Sequence, residues 1–63
     1  MKVIAYQIRE SEDMLIVDTF SLTVERQTPE GTILWREMFL DKKVMVEYVE
    51  QFVKDGVIYG AIM

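Results

Sequence analysis

Hydrophobic and polar positions alternate from Val3 to Arg9, with Ile4, Tyr6 and Ile8 on one side and Val3, Ala5 and Gln7 on the other, which predicts a strand. The charged run Glu10-Ser11-Glu12-Asp13 predicts a solvated hairpin loop. Met14 to Arg26 is rich in β-branched residues and reads as one long, half-buried second strand. Asp18 interrupts its apolar set of Met14, Ile16, Phe20, Leu22 and Val24, so a bulge or bend is expected at Asp18-Thr19. In Thr28-Pro29-Glu30-Gly31-Thr32, Pro presets the first turn position and Gly accepts the left-handed one, which predicts a three-residue hairpin loop. If Thr28 and Thr32 close that loop, Val24 faces Arg36, Leu22 faces Met38 and Phe20 faces Leu40 on one side of the sheet. The other side then pairs Glu25 with Trp35, Thr23 with Glu37 and Ser21 with Phe39.

Asp41 is a ready N-cap, and Met45, Tyr48, Val49, Phe52 and Val53 recur at helical spacing until Gly56, a residue suited to a left-handed C-terminal cap. Val57 to Met63 returns to β-favouring residues and predicts a last strand. The pattern gives an α+β fold in a single domain over residues 1–63, a small two-layer domain with a three-stranded antiparallel meander, one amphipathic helix and a C-terminal fourth strand (βββαβ). A right-handed crossover would set the last strand beside the first and parallel to it, in sheet order 4-1-2-3.

Size changes what this fold must do to be stable. A chain of 63 residues buries only about 60% of its unfolded surface. It contains neither Cys nor His, so disulfides and the usual zinc ligands are unavailable to it, and tight packing or self-association must supply the deficit. A formal charge of −4 opposes phosphate neutralisation, and no basic run exceeds Lys42-Lys43, which argues against duplex nucleic acid as a partner. No apolar stretch reaches membrane-spanning length and the N-terminal residues lack a signal-peptide pattern, so no membrane partner and a cytoplasmic location are expected.

One helix dries only one face of a sheet, and the second face is predicted to be too apolar for water. By the hairpin register it carries Ile33, Trp35 and Phe39, with Leu15 and Val17 from the long strand, and these are the candidate interface or partner-binding residues. A bend in the long strand would instead fold part of the set into the one core. Arg36 is expected on the helix-covered face, either snorkelling to water or serving a ligand or a neighbouring subunit's carboxylate.

Catalysis lacks its usual instruments. With no His or Cys, only carboxylates such as Asp18, Glu25 and Glu37 remain, and charges on strands ordinarily serve solubility. No phosphate-binding loop, dinucleotide fingerprint or calcium loop is present, and no cofactor or metal is expected. The expectation is a non-catalytic, self-associating binding protein, a homo-oligomer that acts by occupying or inhibiting a partner protein. The alternative is an oligomer that sequesters a small molecule or nucleotide in pockets between subunits through Trp35, Arg36, Tyr59 and Arg26. A third reading, an enzyme subunit completed by another chain, would rest on Asp18, Glu25 and Glu37.

Overall fold

A computed structural model describes residues 3–61. Its elements are β1 (Val3–Ile8), β2 (Met14–Asp18), β3 (Thr23–Gln27), β4 (Ile33–Met38), α1 (Lys42–Lys54) and β5 (Ile58–Ala61). The strands form one five-stranded sheet in the order β4-β3-β2-β1-β5, every neighbouring pair is antiparallel, and α1 packs on one face. This is the expected two-layer α+β domain, with one strand more than the hydrophobic pattern predicts. Of the predicted last strand, 62–63 lie outside the described residues.

The additional strand comes from Asp18. One of its carboxylate oxygens accepts the amides of Phe20 at 2.9 Å and Ser21 at 3.1 Å, which folds 19–22 into a turn where a mere bend is expected. Leu22 closes that turn at φ 58°, a left-handed conformation that costs a branched residue about 1 kcal/mol. Packing of Leu22 against the core offsets the strain. Two corrections follow from the turn. The chain direction reverses once more than expected, so β5 still lies beside β1 but runs antiparallel to it. In addition, Val17 now stands opposite Val24, so the odd-numbered residues of β2 share a face with the even-numbered residues of β3. Leu15 and Val17 therefore enter the core, not the open face.

The Pro29–Gly31 loop closes as expected, with Thr28 donating to the Thr32 carbonyl at 2.9 Å, Gly31 at φ 95° and Gln27 opposite Ile33. The register then slips. Arg26 faces Trp35, which leaves Leu34 as the extra residue of a β-bulge, and beyond it Glu25 faces Arg36, Val24 faces Glu37 and Thr23 faces Met38. A one-residue slip exchanges the two faces of a strand. Trp35 accordingly turns toward the helix and Arg36 toward the open face, the reverse of the expected arrangement.

The core is a cluster of Ile8, Leu15, Val17, Val24, Met45, Val49 and Ile58, with Tyr6, Leu22, Phe39, Tyr48 and Phe52 packed around it. Each fully buried aliphatic side chain contributes roughly 1.5–3 kcal/mol, so seven of them make a small core. The helix is closed at both ends. Asp41 accepts the Lys43 amide at 2.7 Å, while Val57 donates to Phe52 and Gly56, at φ 73°, donates to Val53 in a Schellman cap.

Candidate interaction surface

Residues 33–38 of β4 are all exposed, and four of the six, Ile33, Leu34, Trp35 and Met38, are large and apolar. The apolar surface continues past the strand. Leu40 is fully exposed, and Phe20, on the turn whose Leu22 carbonyl accepts the Phe39 amide at 2.9 Å, is 74% exposed. Met38, at 73%, is the last residue of β4 and stands opposite Thr23, the first residue of β3. Phe20, Met38 and Leu40 thus lie at one end of the β3–β4 hairpin, an arrangement that water does not favour.

β4 is also a sheet edge, so half of its backbone has no strand to bond to. Antiparallel ladders alternate between residues bonded to the neighbour and residues turned away from it. Because Phe39 bonds to Leu22, the alternation aims Glu37 at β3 and turns the N–H and C=O groups of Arg36 and Met38 outward. The opposite edge, β5, is four residues long, has a register shift against β1 at Tyr6/Gln7 and carries Gly60 at φ 54°. A short, irregular edge is a poor template for strand pairing.

The open face is more polar than the sequence pattern suggests. At its β3–β4 end Glu25, only 8% exposed, accepts from Gln27 at 2.5 Å and from Arg36 at 3.0 Å. Burial of a carboxylate is tolerated because both partners are present. Arg26, on the helix side, is held by Asp13 at 2.8 Å, which ties the first loop to β3, and the Gln7 amide donates to the Ser11 carbonyl at 2.8 Å in the same loop. Asp18 has its pKa lowered by the amides of Ser21 and Phe20, which stabilise its charged form. Burial pushes the Tyr48 phenol up, with a smaller contribution from the Glu37 carboxylate.

The residues proposed from sequence as one interface are thus divided. Ile33 is exposed, Trp35 stacks on Phe52 with ring centroids 6.5 Å apart and keeps part of its surface in water, Phe39 packs on Tyr48 at 5.1 Å, and Leu15 and Val17 are buried. The ligand set is not brought together either. Arg26 and Arg36 are engaged in ion pairs near β4, whereas Tyr59 lies under the Arg9 guanidinium on β5, four strand spacings or roughly 19 Å across the sheet. Sequence alone does not single out Phe20, Met38 and Leu40, because the register it predicts places all three beneath the helix. A groove of about 220 Å³ lies between α1 and the β1–β2 side of the sheet, lined by residues that include Ile4, Tyr6, Met45, Val46, Val49 and Val53, none of which belongs to the proposed ligand set.

Among the described residues no three His, Cys, Asp or Glu side chains are grouped as metal ligands, and no helix is long and apolar enough to cross a membrane. No protein-family model matches the chain, and no curated protein or solved structure is found to be similar to it. The functional reading therefore rests on the geometry of this surface.

Proposed function

We propose that the protein is a non-catalytic, self-associating cytoplasmic binding protein that acts by occupying the surface of a partner protein, with β4 and the apolar corner of Phe20, Met38 and Leu40 as its interface. The observation that carries this reading is the coincidence of an unpaired strand edge, regular from Trp35 to Met38, with the most exposed large apolar side chains of the described chain. Exposed aromatic and methionine side chains are enriched at interface centres, and a core of this size gains from association. The sequestering alternative has less support, since two of its four residues are bound in intramolecular ion pairs and a third sits on the far edge.

Light scattering over a dilution series tests the reading on the native chain, Met38→Lys and Leu40→Lys. Both positions are exposed, so the fold tolerates the charge. The native chain is expected to be oligomeric at micromolar concentration and the variants monomeric. Folded monomers in all three samples would refute the proposal. A nucleotide-dependent rise in melting temperature would favour sequestration instead.

A further inference from the structure

Resting on that reading, we infer that the segment of the partner protein that pairs with β4 is an extended, basic strand, antiparallel to β4, with an Arg or Lys opposite Glu37 and an apolar side chain opposite Met38. A strand laid along β4 satisfies the outward backbone groups of Arg36 and Met38, and main-chain bonding of this kind leaves specificity to the alternate side chains. Those side chains meet different chemistry on the two sides of the sheet.

On the helix side stand Trp35 and Glu37, two residues apart. Glu37 lies opposite the core residue Val24, is exposed, and has its carboxylate near enough to Tyr48 to help raise the phenol's pKa. Neither ion pair of the described residues, Arg26 with Asp13 or Arg36 with Glu25, includes it. Because Arg36 and Met38 bond outward, the added residue opposite Glu37 falls in a non-hydrogen-bonded pair, with Cα atoms about 4.5 Å apart. A guanidinium there reaches the Glu37 carboxylate and, on the diagonal, the partly exposed indole of Trp35, so one side chain gains an ion pair and a cation–π contact. On the open side Met38 is apolar and mostly exposed, and Arg36 already holds Glu25, so nothing there calls for an acid. The chain's charge of −4 also favours the approach of a basic segment. A second copy of β4 does not supply the cation, because its one basic residue, Arg36, lies on the open side and edge-to-edge pairing about a two-fold axis keeps each side chain on its own side.

The probes are short blocked peptides that alternate valine with arginine, with glutamine or with glutamate, titrated at fixed salt and read by Trp35 fluorescence and amide exchange. The arginine peptide should bind about tenfold more tightly than the glutamine peptide and slow the Arg36 and Met38 amides about tenfold or more, with the glutamate peptide weakest. Glu37→Gln should remove most of that preference, whereas Glu50→Gln, which takes the same charge from the groove side of α1, should leave it within about twofold. Equal binding of the arginine and glutamine peptides, or equal losses in the two variants, overturns the inference. So does a chain whose Arg36 and Met38 amides slow on self-association and that admits no peptide, since a second copy then holds the edge and the interface reading stands without this partner. A native chain that is monomeric throughout the dilution series and binds no peptide overturns both.

Discussion

Met45 and Leu15 are both essentially inaccessible to solvent, yet their truncation to alanine should cost different amounts. At roughly 0.05–0.15 kcal/mol per residue, a chain of this length holds about 3–9 kcal/mol of folding stability. Truncating a buried Leu or Met costs about 2–5 kcal/mol, of which the empty cavity accounts for about 2 kcal/mol if on the order of 75 Å³ is vacated at 24 cal/mol per Å³. Leu15 lies between β1 and β3 within the sheet and does not line the groove, so its cavity is closed and the full penalty of about 3–5 kcal/mol applies. Met45 lines the groove of about 220 Å³, so the space it vacates opens onto an existing void, neighbouring side chains can enter it, and the cost falls to about 2–3 kcal/mol. Urea unfolding at one fixed protein concentration measures the difference, with the single tryptophan, Trp35 on Phe52, as the probe. With a slope near 1 kcal/mol per molar urea for so small a chain, the two midpoints should differ by about 1–2 M. A Met45→Ala cost equal to or above that of Leu15→Ala would refute the open-groove reasoning.

Arg36→Ala should cost about 1–2 kcal/mol, more than a surface pair because Glu25 is left largely buried with only Gln27, but less than a fully buried one because the guanidinium is half exposed. Urea midpoints of Arg36→Ala, Glu25→Gln and the double variant give the coupling, and a coupling under about 0.3 kcal/mol would show that the pair is incidental. Asp18 has a folded pKa below its unfolded value of 3.8, so its contribution is complete above that value and is lost as pH falls through the folded pKa. Thermal melts between pH 5 and pH 2 should therefore decline less steeply in Asp18→Ala than in the native chain, and parallel curves would contradict the turn's dependence on the carboxylate. Tyr48 has its folded pKa raised above 10.0, so the stability it supplies is complete below pH 10 and lost on further alkalinisation. Tyr48→Phe should flatten the alkaline limb of the melt profile, and an unaltered limb would count against this assignment.

How much of this was legible in the sequence can be judged at two places. The helix and its caps follow from local signals, Asp41 at one end and Gly56 at the other, because capping needs only the side chains within one turn. The Thr28–Thr32 turn is legible for the same reason. Faces are another matter, since they depend on parity summed over every loop and bulge between strands. Asp18-Thr19-Phe20-Ser21-Leu22 carries no glycine or proline, and the turn it makes depends on a carboxylate collecting two amides and on a leucine held at positive φ by packing. The Leu34 bulge has no local signature either. It brings Trp35 and Phe39 to Phe52 and Tyr48 and releases Arg36 to Glu25, a gain that exists only in the assembled domain.

That bulge also decides what kind of surface is left over. Had Trp35 and Phe39 stayed on the open face, the apolar patch would be broad and flat, suited to face packing. With both turned inward, the remaining apolar side chains gather along the edge and at its end, where a strand can add. Bulges interrupt edge pairing, so Leu34 confines a regular ladder to the residues that follow it. Deleting Leu34 should preserve Gln27 opposite Ile33 and Arg26 opposite Trp35 while making the ladder continuous, and the domain should still fold. The regular edge then runs the full length of β4 and is a better template for strand addition, so dissociation on dilution, followed by light scattering, should move to lower concentration. A dilution profile unchanged from that of the undeleted chain would show that the bulge does not limit pairing at this edge.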